Sequence, residues 1–145
     1  VIDIPTPMLE DDEVLIQVKA VVQNPTDWEY PDTILGCDFS GIVAGVSTPV
    51  TTSVKVGHQV VGFVQSGHFK DCGAFVEYLK TLVDLVWVVL EGTLSHEVAA
   101  TLGRGFWTRM QALFHLARLG LTEPLAKVEG EKWVLVYGRL SMCFC

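Results

Sequence analysis

From Val14 to Val89 the chain is a succession of short β-branched runs cut by glycine and proline, and that punctuation constrains the fold most. A helix of ordinary length cannot survive breaks so closely spaced, whereas strands of four to eight residues fit between them. Val14–Val22 (VLIQVKAVV) mixes β-branched residues with polar Gln17 and Lys19, the pattern of a half-buried strand. Asn24-Pro25 ends it, because proline donates nothing to a ladder and steers its predecessor away from helix. Gly41–Val46, Gln59–Val64, Ala74–Leu79 and Leu85–Val89 are four more candidate strands. Thr48-Pro49, Val56-Gly57-His58 and Ser66-Gly67 separate them. Short strands at this spacing predict a small antiparallel barrel.

The period then changes. Ser95 is placed to cap a short helix through Ala100, with Glu97 favourable in its first turn. Phe106, Trp107, Met110, Leu113, Phe114 and Ala117 share one face of a second helix, which Gly120 is suited to stop. Glu123-Pro124 opens a polar linker, and Lys132–Tyr137 (KWVLVY) reads as a buried parallel strand running into Gly138. The fold class is therefore mainly β with α.

Charge narrows the function. Lys and Arg total 10 against 17 Asp and Glu, a net charge of -7. A chain with no basic run lacks the cations that displace counterions from nucleic acid, so no nucleic-acid partner is expected. No uncharged apolar run reaches about 18 residues, so no membrane partner is expected either. The amino terminus is acidic where a secretion signal is basic, and the four cysteines Cys37, Cys72, Cys143 and Cys145 read as reduced thiols of a cytoplasmic protein.

Six segments, in order and spacing, carry a resemblance. They are Asp11–Trp28 (DDEVLIQVKAVVQNPTDW), Leu35–Val46 (LGCDFSGIVAGV), Val54–Val64 (VKVGHQVVGFV), Gly73–Tyr78 (GAFVEY), Ala99–Phe114 (AATLGRGFWTRMQALF) and Trp133–Gly138 (WVLVYG). Together they resemble the medium-chain dehydrogenase/reductase superfamily, in its zinc-independent enoyl reductase and quinone oxidoreductase branch, and most of all the trans-acting enoyl reductases of fungal polyketide pathways. The resemblance implies a GroES-like partial β-barrel over residues 1–94, with its usual first strand missing. Linking helices over 95–130, the first strand of a Rossmann domain over 131–138 and an aberrant tail over 139–145 would follow.

The resemblance also implies a chemistry. It is NADPH-dependent hydride transfer to an α,β-unsaturated thioester or ketone, with NADP as cofactor and a small-molecule or carrier-bound enoyl compound as substrate. Asn24 and Thr26 would line the cofactor–substrate cleft, Trp28 would shape its substrate wall, Thr108 would serve catalysis by contacting the nicotinamide, and Gly138 would open the phosphate turn. Read without the resemblance, Asn24–Trp28 is a turn after a strand and Thr108 a helix-surface hydroxyl. Arg104 and Arg109 stand where the family has small residues, and Glu29 where its enoyl reductases often carry Lys.

No metal is expected. Asn24 and Cys37-Asp38 occupy the positions where zinc-using relatives have Cys and His-Glu, and catalytic zinc needs three protein ligands. The glycines of the strand region and His58 read as fold and turn residues, and His96 and His115 as helix-surface residues. Because the dinucleotide crevice needs a βαβ unit, weak or absent turnover is expected of these residues by themselves. The alternative is a non-catalytic GroES-like remnant or gene fragment, acting as an interaction module and associating through exposed apolar surface.

Overall fold

The computed structural model describes residues 2–27, 29, 32–47, 53–66, 72–123, 126–131 and 133–135. The chain divides into two units, Val1–Arg104 and Gly105–Cys145.

The first unit is built on five antiparallel strands: β1 (Glu13–Val22), β2 (Asp38–Val46), β3 (Gln59–Phe63), β4 (Tyr78–Leu82) and β5 (Val86–Val88). Their order in the sheet is β4-β1-β2-β3-β5. The described strands form an open sheet, with β4 and β5 at its edges, so the expected barrel is partial. Register shifts in the β1–β2 ladder, between Leu15 and Ile16 and between Val18 and Ala20, mark bulges. Extra residues of this kind bend a strand and raise its twist, which curls a sheet without closing it.

Strand alternation makes two cores. Val14, Ile16, Phe39, Val43, Val60, Leu79 and Val86 fill the main one. Val61 projects to the opposite face from Val60 and packs with Val89 and Ala99. Ala99 belongs to the short helix α1 (His96–Ala100), whose Ser95 hydroxyl accepts from the Val98 amide. That is the cap expected from the sequence. Gly41 of β2 packs tightly on β1: a Cβ there would stand 2.4 Å from the Gln17 carbonyl oxygen.

Two of the expected strands start later in the chain. The strand placed at Ala74–Leu79 starts instead at Tyr78, because the ladder with β1 begins at Gln17 opposite Tyr78. Ala74 and Phe75 donate to the carbonyls of Gly36 and Leu35 without forming a strand. The 3₁₀ turn Val83–Leu85 takes the first residue of the strand placed at Leu85–Val89.

The second unit carries most of α2 (Arg104–Phe114). This helix ends before Ala117. The His115 ring Nδ1 accepts from the Ala117 amide, and the amides of Leu119 and Leu121 return to the carbonyls of Ala112 and Leu113. Local side-chain bonds of this kind compete with helix continuation. On its apolar face, Phe106 and Trp107 are 44% and 41% exposed. Of the strand expected at Lys132–Tyr137, only Trp133–Leu135 are described; they form no strand, and Trp133 and Leu135 are each 90% exposed. A strand exists by pairing, and no described strand pairs with them. No helix among the described residues is long and apolar enough to cross a membrane.

The main core turns on Phe39, which is fully buried at the centre of the sheet. Phe39→Ala is expected to cost about 3–5 kcal/mol in a denaturant titration, as large-to-small changes in packed cores do.

Candidate functional site: a buried carboxylate joining two loops

The site grows out of the β1–β2 ladder. Val22, the last residue of β1, pairs with Asp38, the first of β2. Asp38 pairs on its other side with Phe63 of β3, so its carboxylate starts in the interior of the sheet and is 2% exposed. Two residues past Val22 the chain turns at Asn24-Pro25, which brings the Asn24 side chain beside Asp38. Asn24 Nδ2 donates to Asp38 Oδ2 at 2.9 Å. The other carboxylate oxygen, Oδ1, accepts the backbone amide of Arg104, the first residue of α2. Gly103 makes that approach possible, since a Cβ there would sit 2.3 Å from Asp38 Oδ1.

A second carboxylate shapes the loop itself. Asp27 Oδ2 accepts the Asn24 amide at 2.7 Å, and the Asp27 amide returns to the Asn24 carbonyl at 3.1 Å. This is the local side-chain-to-backbone bonding that favours Asp in turns. Among the described residues, three buried side-chain atoms have no hydrogen-bond partner: Asn24 Oδ1, Thr26 Oγ1 and Asp27 Oδ1. Such atoms cost roughly 1–3 kcal/mol each when nothing meets them. Their clustering in four consecutive residues marks a place where a polar ligand group or water belongs.

Burial pushes the Asp38 carboxyl above the ordinary carboxylate range; the bonds from Arg104 and Asn24 oppose the shift, and the Asp27 charge adds to it. Burial likewise raises the Cys37 thiol, against the pull of Arg104, whose guanidinium Nη1 lies 3.5 Å from Cys37 Sγ. The charge read from the sequence as standing in place of a small residue therefore contacts the thiol next to the site.

Of the residues expected to form the site, Asn24 is buried and Thr26 half-buried in this loop. Thr108 is half-buried on α2, within the second unit. Trp28 and Gly138 lie outside the described residues. Sequence reasoning treats Asp38 only as a departure from a metal set, although a carboxylate between Cys37 and Phe39 at a strand start is the available signal. Asn24 and Asp38 bond directly to one another. No three His, Cys, Asp or Glu side chains among the described residues could share an ion.

His96 also departs from expectation. It is half-buried, and its Nδ1 lies 2.9 Å from Ser40 Oγ. Ser40 is fully buried and gives its single hydroxyl hydrogen to the Val60 carbonyl at 2.9 Å. Nδ1 must therefore carry the proton and donate to Ser40. The pair fastens α1 to the sheet and is not a nucleophile with its base.

Residues 10–106 match the model of the alcohol dehydrogenase GroES-like domain. The chain belongs to that family. It is 38% identical over 145 residues to the trans-enoyl reductase ACTTS2 of Alternaria alternata, covering 94% of this chain and 41% of the relative. To the trans-enoyl reductase TOXD of Cochliobolus carbonum it is 36% identical over 141 residues, covering 91% and 46%. This GroES-like chain thus spans less than half the length of these relatives. Among solved structures it resembles the quinone oxidoreductase of Coxiella burnetii, with a TM-score of 0.66 at 31% identity, covering 77% of this chain and 38% of the other. A mycobacterial protein solved in complex with NADPH matches at TM-score 0.67 and 26% identity, covering 79% and 36%. The medium-chain dehydrogenase/reductase resemblance read from the six segments stands.

The raised Asp38 carboxyl has a consequence for stability. A folded-state value above the unfolded one means that the native state holds the proton more tightly. The contribution is full below the unfolded carboxylate range and is lost as pH rises through the folded value. Asp38→Asn should flatten that part of the stability–pH profile, measured by urea unfolding at stepped pH.

Proposed function

We propose that this chain forms the substrate-side part of an NADPH-dependent, zinc-independent enoyl reductase, acting on an α,β-unsaturated thioester or ketone. The observation that carries the reading is the Asn24–Asp27 loop, held by two carboxylates with three buried polar atoms left open. The names of the relatives support the reaction type, and the NADPH-bound neighbour supports the cofactor. Carrier-bound polyketide intermediates are the substrate class that agrees with the trans-acting relatives, and the cytoplasm is where such a reductase would work.

The open atoms fit a polar ligand that presents hydrogen-bond donors, since the amide and carboxylate oxygens accept and the hydroxyl can both accept and donate. NADPH, when bound, supplies the hydride that the β-carbon of the enoyl group accepts. Asn24 and Thr26 would hold and orient the reacting groups, Asp27 would keep the loop in shape, and Thr108 would contact the nicotinamide. Orientation of this kind contributes by holding reactants near their reacting geometry.

One observation favours a second reading, an interaction module. Phe106, Trp107, Trp133 and Leu135 are exposed apolar side chains of the second unit. Light scattering and dye binding distinguish it, because association through these residues would appear as concentration-dependent assembly.

The decisive assay follows NADPH oxidation by the full-length gene product with a series of enoyl thioesters. Turnover is expected, and Asn24→Ala should lower kcat/KM about tenfold, the effect of losing one hydrogen bond of ~1.5 kcal/mol. The 145-residue polypeptide assayed by itself should be far slower. Absence of turnover by the full-length product with every enoyl compound would overturn the reading.

A further inference from the structure

A buried asparagine can turn its amide either way, and the two choices present opposite polarities to whatever lies beyond. Here the choice is made by its neighbour. Asp38 is an acceptor-only side chain when ionised, and both of its oxygens are occupied, one by the Arg104 amide and one by Asn24. Only the Nδ2 end of Asn24 can meet a carboxylate oxygen. The Oδ1 end is thereby left as the open atom, buried and unpartnered. Asp27 Oδ1 and Thr26 Oγ1, also open, add a second acceptor and a hydroxyl to the same loop.

We propose that Asp38 is a positioning residue that locks the Asn24 amide with its carbonyl open, so that the site takes an N–H donor of the ligand, such as a primary carboxamide, at Asn24. The assignment rests on the reading of this loop as a dinucleotide and enoyl site. It also divides the labour there. With Oδ1 open, Asn24 accepts and does not steady a developing enolate oxygen, which needs a donor. That task falls to another group, and of the three open side-chain atoms the Thr26 hydroxyl is the one that can donate.

The carboxylate is required, and its amide isostere reverses the outcome. In Asp38→Asn, the new Oδ1 can still accept from the Arg104 amide, but the new Nδ2 then faces Asn24. Asn24 meets it by turning its own Oδ1 inward, which leaves its Nδ2 as the open atom. The double exchange Asn24→Asp with Asp38→Asn restores an acceptor. The carboxylate introduced after β1 takes a hydrogen from the amide introduced on β2 with one oxygen and leaves the other open.

Two measurements test this. The first needs no ligand: the side-chain amide resonances of Asn24 in isotope-labelled protein, in mildly alkaline solution. One Nδ2 hydrogen is expected to be shifted downfield and protected from exchange in the native protein, and to lose both features in Asp38→Asn. An unprotected Asn24 amide in the native protein would overturn the locking role.

The second compares binding of NADP with that of its 3-acetylpyridine analogue, which replaces the carboxamide NH2 by a methyl group, to the full-length protein. The native protein should prefer NADP by about two- to tenfold, the range of one hydrogen bond. Asp38→Asn should abolish the preference and the double exchange should recover it. A merely structural role would weaken both dinucleotides alike. Equal binding of the two by the native protein, or an unchanged preference in Asp38→Asn, overturns the donor assignment while leaving the reductase reading standing. Failure of both dinucleotides to bind overturns the reductase reading and the donor assignment with it, and the Asn24 resonances still decide the locking role.

Discussion

The carboxylate of Asp38 is the constraint on which the site depends. It stands at the start of a central strand, buried, and satisfies donors from two segments far apart in sequence. One is the loop after β1 and the other is the first residue of α2. Removing a buried carboxylate from water is costly, and charge-assisted bonds from both sides offset part of that cost. The remainder is visible in the raised affinity of the carboxyl for its proton. A site held by such a group is defined in geometry and sensitive to the chemistry of one side chain.

Everything around Asp38 serves that placement. The β1–β2 register sets Val22 opposite Asp38, so the turn at Asn24-Pro25 has to pass beside it. Bulges interrupt the same ladder, and Phe39 anchors the next position of the strand in the core. Gly103 lets the chain approach without a Cβ in the way. The Ser40–His96 bond and the Ser95 cap secure α1, so the segment leading into Gly103 has a fixed starting point. Sheet, loop and helix start are thus one arrangement, in which packing energy holds a polar cluster partly unsatisfied. Such stored dissatisfaction is usual where a ligand is to be met.

Much of this is legible in the chain itself. The β-branched runs between Gly and Pro mark four of the five strands to within a few residues, because a two-residue period reports a sheet face directly. The Ser95 cap is equally plain, since it depends only on local chemistry. The strand at Tyr78 is displaced because its beginning is decided by where β1 offers a partner, which no local pattern records. The face of α2 follows helical spacing, yet Phe106 and Trp107 remain exposed. Periodicity shows which face is apolar and not what covers it. His96 escapes sequence reasoning for a similar reason: its partner, Ser40, lies 56 residues away.

The amino-acid sequence by itself determined the β-rich first unit, the capped helix, the acidic character and the turn at Asn24-Pro25. Each follows from short-range pattern or from segments whose order is specific. Tertiary structure alone decided that Asp38 joins Asn24 to Arg104, and that Asn24 keeps its carbonyl open. Those facts depend on strand register and on a glycine-permitted approach between residues 66 positions apart. Hydrogen-bond polarity is a property of the assembled neighbours, and no single segment carries it.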